Sequence, residues 1–187
     1  MTTFVLVPGA WLGGWCWRRV RPLLAGQGHS VVTPTLTGLG ERSHLASSGV
    51  DLETHIQDVV NVVAWEDLRE VVLVGHSYSG FVVAGVADRA SDRIAKLVFL
   101  DTVIPVDGQA FLDLWSPEGR AVVEVAATEN GGGWPMPDDL GEDAADLTDE
   151  DARWLRSKAS PQPLGTLTQP LRLSNASTAS VPRAYIC

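Results

Sequence analysis

The stretch VVLVGHSYSG, Val71–Gly80, decides how this chain folds. A short β-branched run, Val71–Val74, leads straight into a tight turn, and the helical run Phe81–Ala90 follows at once. A turn between a buried strand and a helix holds its central residue, here Ser77, in a strained conformation at the carboxyl end of the strand. Small neighbours are required because the strand and the helix approach closely there. The stretch therefore predicts a nucleophile elbow with Ser77 as the nucleophile.

One departure from the usual elbow keeps a second interpretation open. The usual pattern is Gly-x-Ser-x-Gly, whereas here Ser79 stands at the second glycine position and Gly80 follows it. Serine is still small, so the elbow remains our prediction. The alternative is an ordinary strand-to-helix turn in which Ser77 lies near the N-cap of the helix.

The sequence around the elbow alternates short apolar runs with longer amphipathic ones, which is typical of βαβ units. Strands are predicted at Phe4–Val7, Ser30–Thr33, Val71–Val74 and Leu97–Leu100, and helices at Trp15–Gln27, Leu52–Trp65 and Phe81–Ala90. Right-handed crossovers would place the helices on both faces of the sheet. The fold class is therefore α/β, with a mostly parallel sheet between layers of helices.

The character of the sequence changes at Val103, where prolines and the run Gly131–Gly133 interrupt the pattern. We predict three parts: a core over residues 1–102, an insertion over residues 103–180 with a short helix at Asp149–Ser157, and the start of a further core strand over residues 181–187.

Composition excludes several kinds of partner. The formal net charge is -9, and the acids crowd into Asp138–Asp151, so no basic face is available for nucleic acid or anionic lipid. Cys16 and Cys187 form no metal-binding pattern, and neither a metal nor another cofactor is expected. No apolar run approaches membrane-spanning length, and the apolar run Phe4–Val7 leaves no room for a signal peptide, which predicts a cytoplasmic protein without membrane contact.

A second motif, FVLVPGAWLGG at Phe4–Gly14, leaves the first strand as a glycine-rich loop whose backbone N–H groups can turn toward an anion. Such a loop supplies one donor of an oxyanion hole, and the residue after the nucleophile supplies the other. The donors predicted here are the N–H groups of Ala10 and Tyr78.

Four segments together resemble one branch of the α/β-hydrolases, the esterase and hydroxynitrile-lyase branch that includes plant methyl-ester esterases. They are FVLVPGAWLGGWCW from Phe4, LTGLGERSHL from Leu36, DLETHIQDV from Asp51 and the elbow GHSYSG from Gly75. The resemblance is good over Thr3–Trp115 and looser beyond.

The resemblance implies an α/β-hydrolase fold in which Ser77 attacks an ester carbonyl beside an oxyanion hole at Ala10 and Tyr78. It also implies that Val103–Ser180 forms a mostly helical cap over the pocket. Pro8 stands where relatives commonly have His, and Gly9 stands where lyase members have Thr, which favours ester hydrolysis over cyanohydrin cleavage.

A serine hydroxyl needs an adjacent base, and none of the four histidines is well placed for that role. We interpret His29 as a surface residue, His76 as a structural residue of the elbow and His55 as solvent-exposed. His44 lies on a loop at the correct end of a strand, which leaves it as the one internal candidate. The resemblance places the acid and the histidine of the triad after the strand that matches Val181–Cys187.

Three further side chains have open roles. Asp101 ends the fourth predicted strand, where it is either the triad acid or a loop and capping residue. Trp11 and Trp115, together with Trp134, either line an apolar acyl pocket or pack between cap and core.

The sequence therefore predicts a hydrolase for small or medium, largely apolar esters that works through an acyl-enzyme on Ser77. The alternatives are a hydroxynitrile-lyase or lactonase reaction at the same serine, and a ligand-binding protein without catalysis. We further expect the natural gene to continue past Cys187, the 187-residue chain to have little esterase turnover, and its unpaired sheet edge to favour a homodimer or aggregation.

Overall fold

A parallel sheet forms the centre of the computed structural model, which describes residues 1–138, 147–175 and 180–187. Within the described residues its strands are β1 (Thr3–Val7), β2 (Ser30–Val32), β3 (Val71–His76), β4 (Ile94–Leu100) and β7 (Arg183–Ile186). Their order in the sheet is β2-β1-β3-β4-β7, with all neighbours parallel. The predicted α/β fold is confirmed.

Alternating side chains of the strands feed two separate apolar clusters. In β1, Val5 and Val7 join the larger cluster, whereas Leu6 joins a smaller one around Trp17. Helices α2 (Leu52–Trp65) and α3 (Ser79–Ala90) cover the face of the larger cluster. Helix α1 (Val20–Gly26) lies on the other face and buries none of its residues. The sheet therefore has helices on both faces, with unequal cover.

Helix α3 is buried nearly all round because it lies between the sheet and neighbouring helices. Eleven of its twelve residues are buried. A Cβ atom on Gly75 would lie 2.5 Å from the carbonyl oxygen of Ser79, so only glycine allows β3 and α3 to approach this closely. This close packing lets α3 begin at Ser79, only three residues after β3 ends at His76.

The first predicted helix differs from the observed structure, whereas the second agrees with it. The run Trp15–Gln27 is divided into a 3-10 turn at Gly14–Arg18 and the shorter helix α1. Helix α2 has the predicted bounds because Asp51 caps it: its carboxylate accepts from the Thr54 N–H, and the Thr54 hydroxyl accepts from the Asp51 N–H.

The segment after β4 contains more regular structure than predicted. Helix α4 (Pro117–Glu129) begins at a proline that we interpreted as a breaker, although proline suits the first helical position behind the Ser116 cap. Helix α5 (Asp149–Arg156) agrees with the prediction, and α6 (Leu164–Thr168) follows a two-stranded antiparallel sheet of β5 (Gly133–Trp134) and β6 (Gln162–Pro163). Residues 139–146, within the acidic stretch, and 176–179, both in the predicted insertion, lie outside the described residues.

Among the described residues, no helix combines the length and apolar composition needed to cross a bilayer.

Candidate active site

Ser77 lies between the end of β3 and the start of α3, in a backbone conformation that is rare for serine. Its φ angle is 50°, in the left-handed region. Neighbouring groups hold this conformation: the Ser77 N–H donates to Leu100 O at 3.1 Å, and the Ser77 carbonyl accepts from Gly80 N–H at 2.9 Å and from the Thr102 hydroxyl. Such a strained residue persists only where its surroundings determine it.

Ser79 does more at the second glycine position than stay small. It is fully buried, and its hydroxyl donates to the carbonyl of Pro8 in the loop after β1. The hydrogen bond joins the elbow to the glycine-rich loop, which are the two segments that carry the predicted oxyanion donors. The departure from the usual motif thus has a structural use.

The carboxyl ends of β1, β3 and β4 meet at one cavity of about 360 Å³. Ser77, Ala10 and Asp101 line it, one from the loop that follows each of the three strands. The rest of its described lining is Gly9, Trp11, Leu12, His76, Trp115, Trp134, Met136, Pro137, Leu147 and Leu155. The lining is therefore apolar except around the serine, and its far wall comes from the segment after β4.

The two predicted oxyanion donors reach the elbow from different segments of the chain. Ala10 lines the same cavity as Ser77, and Tyr78 follows Ser77 as the N-cap residue of α3, where the helix dipole favours a negative charge. Among the described residues, neither backbone N–H donates to a protein acceptor. Both groups thus remain available for a bound oxyanion.

Three tryptophans form one aromatic cluster at the cavity. The ring centroids of Trp11 and Trp134 are 4.6 Å apart, and those of Trp115 and Trp134 are 5.3 Å apart, both edge-to-face. Trp134 is 5% exposed and Trp115 is 39% exposed. The cluster packs the loop after β1 against the segment after β4, and it also presents aromatic surface to the cavity. Packing between these segments and lining of the cavity are therefore compatible roles for these tryptophans.

The prediction that His55 is solvent-exposed is wrong, because His55 is fully buried. Its Nε2 lies 2.8 Å from the Thr37 carbonyl, which can only accept, so Nε2 carries the proton and Nδ1 accepts from the Tyr78 hydroxyl at 3.0 Å. Burial lowers the pKa of His55 from 6.5 to about 4, and burial likewise raises the pKa of Tyr78. The neutral imidazole therefore supports Tyr78, the residue that follows Ser77.

The other histidines differ in their distance from the site. His76 lines the cavity and packs edge-to-face on Trp17. His44 is exposed on a 3-10 turn and is absent from the described cavity lining. His29 packs against Phe4 just before β2, at the opposite end of the sheet from Ser77.

Asp101 lies at the cavity with a φ angle of 44°, and its N–H donates to Ile186 O at 2.7 Å. Asp101 follows β4 directly, as the sequence predicted. Its carboxylate and the His76 imidazole are the titratable side chains in the described cavity lining. Within the part of the chain that the structure describes, no group of three or more His, Cys, Asp or Glu residues could hold a metal ion.

Sequence inspection missed Gln162, whose side chain contacts the glycine-rich loop from the distant strand β6. It also missed Met136, Leu147 and Leu155 in the cavity wall. No local motif surrounds any of these residues, so only the tertiary structure identifies them.

Comparisons with known proteins agree with this geometry. A family model described as the alpha/beta hydrolase family matches residues 4–187. A carbendazim hydrolyzing esterase from Nocardioides sp. (strain SG-4G) is 42% identical over 196 residues, covering 100% of this chain and 79% of that protein. Methylesterase 8 of Arabidopsis thaliana is 35% identical over 103 residues, which cover 54% of this chain and only 38% of that protein.

A solved structure supports the same assignment. It is an extracellular alpha/beta-hydrolase from a Paenibacillus species, said to share structural and functional homology with tobacco salicylic acid binding protein 2. It superposes with a TM-score of 0.88 at 28% identity and covers 99% of this chain and 76% of the solved chain.

Proposed function

This chain belongs to the alpha/beta hydrolase family, and on that premise we propose that it is a carboxylic ester hydrolase with Ser77 as its nucleophile. One observation carries the proposal: a serine in a strained elbow lines a cavity together with Ala10 and directly precedes Tyr78, and the backbone N–H groups of these two residues have no described protein acceptor. That combination is what attack on a carbonyl requires.

In the proposed reaction, the Ser77 oxygen attacks the ester carbonyl while a base takes its proton. The carbonyl oxygen becomes an oxyanion held by the N–H groups of Ala10 and Tyr78. The base returns the proton to the leaving alkoxide, which departs as an alcohol. Water then cleaves the acyl-enzyme, releases the carboxylic acid and regenerates Ser77.

The base must reach Ser77 through the cavity. His76 and Asp101 are the titratable side chains in its described lining. We keep His76 as a structural residue, since it adjoins Ser77 in the same tight turn and packs on Trp17. Asp101 has the position to orient a histidine that approaches Ser77, or to close the loop that leads to β7.

The cavity supports small or medium, largely apolar ester substrates. Its volume of about 360 Å³ falls in the range of small-molecule sites, and tryptophan, methionine and leucine side chains supply most of its wall. We propose that residues 103–180 act as the cap, because Trp115, Trp134 and Leu155 come from that segment and face the same cavity as Ser77.

Gly9 supports ester hydrolysis over the lyase alternative. A Cβ atom at this position would lie 2.8 Å from Nδ1 of His76 and 3.3 Å from Cβ of Ser77. A threonine, as the resemblance places in lyase members, would therefore need His76 to move. The absent side chain lets His76 and Ser77 pack directly against the backbone of Gly9.

The proposal is tested by hydrolysis of p-nitrophenyl acetate, butyrate and octanoate by the full-length protein. We expect turnover that falls on the order of 10⁴-fold or more in kcat with Ser77→Ala. Ser48→Ala is the matched control, because Ser48 is exposed and outside the described cavity lining, and it should leave kcat unchanged. Wild-type turnover that survives in Ser77→Ala would refute the assignment.

A further inference from the structure

Trp11 follows the proposed oxyanion donor Ala10 and has an unfavourable backbone conformation. Its φ angle is 64°, which bulky residues rarely adopt. Such a conformation persists only when surrounding contacts hold it. The position of the loop that carries Ala10 therefore depends on whatever holds Trp11.

Within the described parts of the chain, the polar contacts of Trp11 all come from the segment after β4. Its N–H donates to Oε1 of Gln162 at 3.0 Å, and its carbonyl accepts from the Ser160 N–H at 3.0 Å. Its indole N–H donates to the Trp134 carbonyl at 3.1 Å. The small sheet of β5 and β6 thus holds Trp11 in the glycine-rich loop by hydrogen bonds to both the backbone and the side chain of Trp11.

Gln162 contributes a side chain to these hydrogen bonds, so its role can be tested by substitution. Its side chain is completely buried, and its Nε2 donates to the Thr166 hydroxyl at 2.7 Å. That hydroxyl gives its own proton to the Pro163 carbonyl at 2.6 Å, so it must accept from Gln162. The amide therefore has one orientation, with its oxygen toward the Trp11 N–H.

We propose that Gln162 is a positioning residue for catalysis: its oxygen holds the Trp11 backbone and so fixes the Ala10 N–H that stabilises the oxyanion. The inference rests on the proposed function of Ser77. The segment after β4 then does more than cover the pocket. The Ala10 N–H points correctly toward the oxyanion only while Gln162 accepts the hydrogen bond from the Trp11 N–H.

The kinetic consequence follows from when the oxyanion exists. The charge on the carbonyl oxygen develops in the transition state and is absent from the bound substrate. A displaced Ala10 N–H should therefore lower kcat and leave KM nearly unchanged. Loss of an oxyanion donor costs about 100- to 1000-fold, and a donor that is displaced but present should cost about 10- to 100-fold.

Three variants separate positioning from general stability. Gln162→Met keeps the length of the side chain but removes the acceptor, and Gln162→Glu restores an acceptor oxygen toward Trp11. Gln169→Met is the matched control, because the Gln169 amide makes the same kind of bridge, from Glu53 N–H to the Asp51 carboxylate, both at 2.7 Å. Gln169 caps α2 and is outside the described cavity lining.

The test combines steady-state kinetics with amide hydrogen exchange of Trp11 measured by NMR. We expect Gln162→Met to lower kcat about 10- to 100-fold at constant KM and to speed exchange of the Trp11 amide. Gln162→Glu should recover part of both. Gln169→Met should lower Tm without changing kcat or the Trp11 exchange rate.

Other outcomes overturn the inference. Unchanged Trp11 exchange in Gln162→Met means that Gln162 does not hold the loop. Faster exchange with unchanged kcat means that the position of the Trp11 loop has no role in the reaction. An equal loss of kcat in Gln169→Met means that the loss in Gln162→Met does not come from the Trp11 loop. If wild-type protein hydrolyses no ester, the proposed function fails separately, and the exchange result still decides whether Gln162 holds Trp11.

Discussion

Ser77 shows how a single residue connects sequence to mechanism. Its positive φ angle follows from the junction of β3 with α3, and the small residues Gly75 and Ser79 make that junction possible. These requirements act between near neighbours in the chain. For that reason the elbow was visible in the sequence, even with serine in place of the second glycine.

Gly9 packs so closely against the elbow that even one added methyl group should impair catalysis. In Gly9→Ala, the new Cβ would lie 2.8 Å from the His76 ring and 3.3 Å from the Ser77 Cβ, so the elbow must shift. Since small misplacements at reacting atoms are costly, we expect kcat/KM for p-nitrophenyl butyrate to fall about 10- to 100-fold.

Gly26→Ala serves as the control for Gly9→Ala. Gly26 is the last residue of α1 and has no neighbouring atom within 4 Å of an added Cβ. Its kcat/KM should equal that of the wild type. Equal activity of Gly9→Ala and wild type would show that the space beside His76 has no catalytic importance.

The sequence did not predict the contacts of Trp11, Gln162 and His55. Gln162 contacts Trp11 across 151 positions of sequence, and no periodicity or motif records such a contact. His55 was assigned to solvent because the apolar face of its helix lies elsewhere, yet Tyr78 and Thr37 cover it. The burial of a polar helix position depends on the segments that pack against it.

At the scale of elements, His55 links α2 to the start of α3 through the Tyr78 hydroxyl. The pKa of His55 is about 4 in the folded state and near 6.5 in the unfolded chain. Between these values the unfolded state binds more protons, so this stabilising contribution is complete above pH 6.5 and is lost as pH falls toward 4. At pH 5 the loss is about 2 kcal/mol.

Urea unfolding at pH 7.5 and pH 5 measures this effect. The wild type should lose about 2 kcal/mol more of its free energy of unfolding than His55→Gln over that interval, since the variant lacks the titrating group. All other ionisable groups, including the remaining three histidines, are the same in both proteins and cancel in the comparison. A parallel loss in the two proteins would mean that His55 is not held neutral by its buried contacts.

Elements with strong local signals were predictable, and elements set by tertiary contacts were not. The apolar pattern and the Asp51 cap gave the bounds of α2, and the apolar tail predicted β7. Helix α4 was missed because Pro117 was interpreted as a breaker when it begins the helix. The run before β2 has helical spacing, yet its residues form a 3-10 turn and a short exposed helix.

For the whole molecule, the sheet order accounts for the position of the site. Strands β1, β3 and β4 are neighbours and parallel, so the loops that follow them emerge at one edge. The segment after β4 closes that edge with the aromatic cluster and Gln162. Loops from the sheet and a wall from the segment after β4 together enclose one cavity, which we propose accepts a small ester.

If Ser77 is the nucleophile of this cavity, a covalent probe for reactive serines should label it. A fluorophosphonate probe forms a tetrahedral adduct that needs both a reactive serine and oxyanion donors. After treatment of the full-length protein, peptide mass spectrometry should find the adduct on Ser77 alone, and Ser77→Ala should remain unlabelled. An adduct on another residue, or equal labelling of Ser77→Ala, would contradict the account.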